Sequence, residues 1–285
     1  MSNAVSIAAR ARASFCAEND NVHRNEIRIV LSLGTYGSTV TPMQDFDGIF
    51  PPPYGPKAYS AMEKNTTSFG NDVEGMEKSI QALTEFHTER LLAYAQIPET
   101  WDLVEGIAFE TVPVAREVTA IRRAVTAVAV SLHAEGKRMK PWWLTAVFPD
   151  GWCPETRVPG GEHMRAKEVA DLMLQEGVNG EGRALVLPDG IGFNCVAVEH
   201  MHGLLDQFKE ASTQVIGKGR KWPWLVIKPN GGGAGIGWVD SVAECVDEAY
   251  GQGWGGLIVG GCCKAGPEEI TQLALRLEGE KDRGY

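Results

Sequence analysis

The chain has no apolar run long enough to span a bilayer, which sets aside the membrane-spanning classes. It has no excess of basic residues either. Lysine and arginine number 27 against 37 acids, for a formal net charge of −10, which argues against a nucleic-acid partner. Cysteine is sparse, 6 in 285 residues, too few for a dense disulfide framework, and no pair has C-x-x-C spacing. The expectation is a reducing compartment, the cytoplasm, with thiols available to a metal. The glycine-rich segment 231–237 fits no register of G-x-G-x-x-G and lacks a P-loop lysine, so it reads as a flexible loop near the active face. Residues 1–15 hold Arg10 and Arg12 among Ala and Ser with no acid. A transit peptide is one reading of that segment; an ordinary helix is preferred.

What is present is the composition of a folded globular chain, 44% hydrophobic and 22% charged. The length suits one large domain or two small ones and suffices for a sizeable core. The spacing predicts a helix over residues 4–18 and a strand over Ile27–Leu33. A long loop follows, carrying Tyr36, Asp45, Asp47 and Pro51-Pro52-Pro53, and is expected to reach over the site. A helix is predicted over 72–95, then a strand within Trp101–Phe109 that ends at Glu110, then a helix from Pro113 through His133. Strands follow at Trp142–Phe148, before Cys195, at Trp224–Ile227 and at Leu257–Val259, with helices over 163–175, after Cys195, around Glu244–Tyr250 and from Pro267. This alternation, without internal repeats, predicts a parallel sheet covered by helices.

The chemistry centres on Leu257-Ile258-Val259-Gly260-Gly261-Cys262-Cys263. Successive strand residues point to opposite faces, so adjacent cysteines share a centre only where the chain leaves the strand. Gly260 and Gly261 would permit the needed dihedrals and a close backbone approach. Taken alone, the pair reads equally as small buried residues or as a metal site. Cys195 also ends a short strand-like segment, with one further strand between it and the pair. Alternate strands of a barrel face one interior layer, so the three sulfurs can converge. Three thiolates with one open position suit catalytic zinc. Cys16 and Cys245 read as structural, Cys153 as a bystander on a loop with no second ligand nearby, His87 as a surface or packing residue, and His200 and His202 as pointing apart.

Gly192-Phe193-Asn194-Cys195 and Gly260-Gly261-Cys262-Cys263-Lys264-x-x-Pro267-Glu268-x-Ile270 resemble the homocysteine S-methyltransferase family. Three weaker segments agree in order: Ser32–Gly37, Phe109–Pro113 and Lys228-Pro229-Asn230. The resemblance implies a (β/α)₈ barrel of the TIM type with zinc held by Cys195, Cys262 and Cys263. It implies methyl transfer from a sulfonium donor, S-methylmethionine or S-adenosylmethionine, or from betaine, to a zinc-bound homocysteine thiolate, giving methionine. No catalytic side chain beyond the metal ligands is implied. Glu110 would bind the substrate ammonium, and Tyr36 and Asn230 match further substrate positions. The partners implied are small molecules. The family's first two strand–helix units, with an Asp-Gly motif and a Thr/Ser-rich strand end, have no counterpart here. Residues 1–285 are therefore expected to form one incomplete barrel domain with about six of eight strands. The alternative is a catalytically impaired barrel that retains its zinc site. A vicinal-dithiol redox protein is a third reading, disfavoured by the missing C-x-x-C spacing.

Overall fold

The computed structural model describes residues 2–180, 182–216, 219–231 and 236–281. Most of the glycine-rich loop, 232–235, lies outside them. In chain order the elements are α1 (Ser2–Glu18), β1 (Val30–Gly34), α2 (Val73–Ala95), α3 (Pro98–Trp101), β2 (Gly106–Val112), α4 (Ala115–Ala134) and β3 (Trp142–Val147). They continue with α5 (Ala166–Leu174), β4 (Gly190–Asn194), α6 (Met201–Ile216), β5 (Trp224–Lys228), α7 (Ile236–Tyr250), β6 (Leu257–Val259) and α8 (Pro267–Lys281). The six strands are all parallel and lie in the order β1-β2-β3-β4-β5-β6. This is the expected α/β architecture with six strands, and β1 and β6 are its outer strands.

Some boundaries differ from the sequence reading. β2 runs past Glu110 to Val112, and α4 starts at Ala115 rather than Pro113. Val114 is still extended (φ −133°, ψ 136°), and the first helical N–H, from Ala115, donates to Glu155 Oε2 at 2.6 Å. α5 starts late because Arg165 is extended, its N–H held by Glu168 Oε2 at 2.9 Å.

Strand alternation sorts the side chains. Leu31, Leu33, Ile107, Phe109, Leu144, Ile191, Phe193, Leu225 and Ile227 join the main core beneath α4, α5, α6 and α7. The intervening Ala108, Trp143 and Val226 form a second cluster on the inner face, with Val30, Trp224 and Ile258 beside it. Glu110 and Lys228 continue this inner series two residues further on. Strands β2 and β5 would lie about 14 Å apart in a flat sheet. Yet Glu110 and Lys228 form an ion pair at 2.7 Å, so the sheet curls inward around this face. That is barrel curvature.

The loop after β1 is held against α2 and α4. Its Phe50 is fully buried with Leu83, Val114 and Ala120. Arg116 of α4 donates to Glu155 at 2.5 Å and to the carbonyl of Thr67 at 2.9 Å. In the first turn of α4, fully buried Glu117 accepts from His87 Nε2 at 2.9 Å, Thr35 Oγ1 at 2.6 Å and the Tyr36 N–H at 2.7 Å. Burial pushes this carboxyl up, but His87, Thr35 and Tyr36 together hold it below the ordinary glutamate range. His87 is thus a packing residue, as expected, and is not at the surface. Among the described residues no helix is long and apolar enough to cross a membrane.

Candidate metal centre

The end of β5 lies between the two cysteine segments and pins both. The Cys195 N–H donates to the Lys228 carbonyl at 3.0 Å, and the Cys262 N–H to the Pro229 carbonyl at 2.7 Å. In return, the Gly231 N–H donates to the Cys263 carbonyl at 2.7 Å. These bonds bring the Sγ atoms of Cys195, Cys262 and Cys263 within 4.8 Å of one another. Among the described residues they are the one cluster of three or more metal-ligating side chains. Cys195 and Cys263 sulfurs are 4.0 Å apart. Ligands of tetrahedral zinc, with Zn–S near ~2.3 Å, sit about 3.8 Å from each other. Cys195 and Cys262 are paired as a disulfide, so the cluster offers three thiols once reduced. Cys195 is buried, Cys262 half-buried and Cys263 exposed, which leaves one side of the cluster open to solvent. The donor set fits zinc: three sulfurs, with no carboxylate in the cluster to compete.

Of the two roles expected of the glycines, close approach and unusual dihedrals, the structure shows the first. Neither Gly260 nor Gly261 is left-handed; the left-handed residue of the turn is Lys264, at φ 64°. Gly261 serves close approach, since a Cβ there would lie 2.2 Å from the Ala265 Cβ. Three non-glycine residues of the described chain have positive φ: Thr111 (63°), Cys195 (53°) and Lys264 (64°). All three lie at or beside this site, where strained backbone commonly gathers. At Thr111 the pairing of β2 with β3 also slips between Phe109 and Val112.

Asn194 ties these parts together, and the sequence reading gave it no role. It is fully buried. Its Oδ1 accepts from the Thr111 N–H at 2.9 Å and from Thr145 Oγ1 at 2.7 Å. Its Nδ2 donates to Thr111 Oγ1 at 2.8 Å and points at the sulfurs of Cys195 (3.3 Å) and Cys262 (3.6 Å). A lone amide in an otherwise apolar strand, Gly-Ile-Gly-Phe-Asn, was the available signal.

The expected substrate residues fare unequally. Glu110, expected to meet a substrate ammonium, meets the protein's own: Lys228 Nζ lies 2.7 and 2.8 Å from its two carboxylate oxygens. Glu110 lies within β2, and the first-turn acid of the following helix is Glu117. Asn230 lies next to the cysteines: its N–H donates to the Val196 carbonyl at 2.8 Å. Its buried Oδ1 has no partner among the described residues. Tyr36 stacks on Tyr54 at 3.9 Å and meets Phe50 and Phe86 edge-on. Burial, Tyr54 and Glu117 raise its phenol pKa. These contacts tie it to the loop and α2.

The remaining cysteines and histidines stay outside the cluster, as read from the sequence. Burial pushes the Cys153 thiol far up and the Cys245 thiol up to about 12, so neither is a nucleophile at neutral pH. His202 pairs with Glu248 at 2.7 Å, and the His200 ring lies against Gly151.

Known proteins resemble this chain over most of its length. A homocysteine S-methyltransferase from Zea mays, numbered 4, is 25% identical over 98% of this chain and 68% of its own length. A homocysteine S-methyltransferase 1 from Brassica oleracea var. italica is 23% identical over 98% of this chain and 70% of its own. The apo homocysteine methyltransferase MmuM from Escherichia coli superposes with a TM-score of 0.56 at 19% identity, over 96% of this chain and 71% of that one. That likeness shows the fold. The family model described as homocysteine S-methyltransferase matches residues 1–277, and the chain belongs to that family.

Proposed function

We propose that this chain transfers a methyl group from a sulfonium donor, S-methylmethionine or S-adenosylmethionine, to the thiol of homocysteine, giving methionine. Residues 1–285 act as one homocysteine-binding barrel unit, and Cys195, Cys262 and Cys263 hold zinc. The observation that carries this reading is the convergence of three sulfurs from the ends of β4 and β6, with one side open. Zinc supplies acidity when bound: coordination keeps a thiol ionised at neutral pH, and the thiolate is the nucleophile.

The rest belongs to the chain. Three cysteine thiolates outweigh a divalent ion by one negative charge, and that charge favours a cationic donor. Asn194 Nδ2, with one N–H on Thr111 Oγ1, turns the other toward the sulfurs of Cys195 and Cys262 and orients them. Glu110 receives the substrate ammonium, Asn230 Oδ1 offers a further acceptor, and Tyr36, just past β1, is assigned the pocket rim. Holding acceptor and donor in line supplies much of the remaining acceleration. A three-thiolate site needs reduced cysteines, which fits a cytoplasmic setting.

A second reading, a zinc-retaining barrel without turnover, draws on the inner face. Val30, Trp224 and Ile258 point inward yet are only partly buried, so the pocket wall is open beside the outer strands. The reduced chain, loaded with zinc and given homocysteine with each donor in turn, separates the two. Methionine formation is the expected result. Zinc uptake without methionine favours the second reading, and no zinc uptake contradicts both.

A further inference from the structure

The six strands carry two charged residues, Glu110 and Lys228, and these two face each other. Lys228 ends β5 and Glu110 lies in the carboxyl half of β2, both on the inner face, near the edge where barrel chemistry gathers. Both connect to the sulfur cluster through the backbone. Thr111, next to Glu110, bonds to Asn194, and the Lys228 carbonyl accepts from Cys195. The pair is not sealed: the Lys228 side chain is 24% exposed and that of Glu110 14%. Among the described residues, the Glu110 carboxylate has beyond Lys228 only the Ser32 hydroxyl, at 3.5 Å.

Such a pair matches one kind of ligand head group, a zwitterion with an ammonium and a carboxylate on one carbon. We infer that Lys228 is the specificity-determining residue for the carboxylate of the amino-acid thiol, with Glu110 taking its ammonium. This rests on the proposed function and refines it. The incoming zwitterion exchanges one internal ion pair for two intermolecular ones, so no charge is left unpaired. Electrostatics favour a cation here. Glu110 and the net-negative sulfur centre would otherwise repel the substrate carboxylate. Lys228 is the cation the strands supply.

The test uses the reduced, zinc-loaded chain and three thiols: homocysteine, 3-aminopropane-1-thiol without the carboxylate, and 4-sulfanylbutanoate without the ammonium. Binding is read by calorimetry, with melting temperature as a folding control. In Lys228→Gln, homocysteine and 4-sulfanylbutanoate are expected to weaken about tenfold or more, the scale of a lost charged hydrogen bond. The aminothiol is expected to bind as well as before or better, because Glu110 is released. Lys228→Arg, which keeps the charge, is expected to retain the preference for carboxylate-bearing thiols, and it replaces the glutamine variant should that one not fold. Equal weakening of all three thiols, or of none, in the glutamine variant overturns the inference; so does loss of carboxylate preference in the arginine variant. A wild-type chain that binds none of the thiols overturns the proposed function itself, and the inference with it.

Discussion

Two glutamates seven residues apart meet opposite fates. Glu117, in the first turn of α4, is fully buried, and protein donors occupy its oxygens: His87, Thr35 and the Tyr36 N–H. Glu110, at the inner end of β2, has one strong partner, Lys228, and an open flank. A carboxylate with its lone pairs satisfied internally is a strut that orders the loop after β1. A carboxylate with room beside its partner can exchange that partner for a ligand. The same contrast separates Cys153 and Cys245, buried and protonated, from the cysteine cluster with its open side.

The sharpest way to break this comparison is to remove the strut and, separately, the exchangeable partner. Glu117→Leu leaves His87, the Thr35 hydroxyl and the Tyr36 N–H buried without their acceptor, and is expected to cost about 3–5 kcal/mol of stability. Lys228→Gln is expected to cost about 1 kcal/mol or less, because that pair is partly solvated. Urea unfolding of both variants checks this; equal losses would erase the distinction between strut and ligand site.

A smaller effect is expected in acid. The folded-state pKa of Glu117 lies below its unfolded value near ~4.3, so its contribution is complete above that value. It is lost as pH falls through the lower, folded pKa. Stability measured from pH 6 downward is expected to drop less steeply in Glu117→Gln than in wild type. An unchanged acid limb would mean that Glu117 is not held ionised by its partners.

The smallest effect belongs to the site's own scaffold. Thr145→Val removes one of two donors to Asn194 Oδ1, and the Thr111 N–H remains. The expected cost is about 1 kcal/mol, read by the same unfolding experiment. A loss above roughly 3 kcal/mol would show that the amide depends on Thr145 far more than one hydrogen bond implies.

Much of this was legible in the sequence, for identifiable reasons. Strand–helix alternation gave the parallel sheet, and cysteines at strand ends gave the convergence, because local patterns encode both. The Glu110–Lys228 pair was not legible. It spans β2 to β5, and only the curl of the sheet brings those strands within side-chain reach. The strand reading also stopped at Ile227, one residue short of the lysine. His87 looked like an isolated helical histidine because its partner is 30 residues away on the facing helix. At the turn carrying Cys262 and Cys263, the close approach expected of the glycines is found at Gly261, whereas the left-handed conformation falls on Lys264. Asn194 was quoted within a motif but left without a role, because its bonds run to β2, β3 and the turn after β6.

The central claim is that three sulfurs from two distant segments hold one metal ion. Zinc content of the reduced chain, measured beside Cys195→Ser after exhaustive dialysis, tests it most directly. The account predicts about one zinc per wild-type chain and a large loss of retained zinc in the serine variant. Zinc absent from the folded, reduced wild type, or retained equally without the Cys195 sulfur, would contradict it.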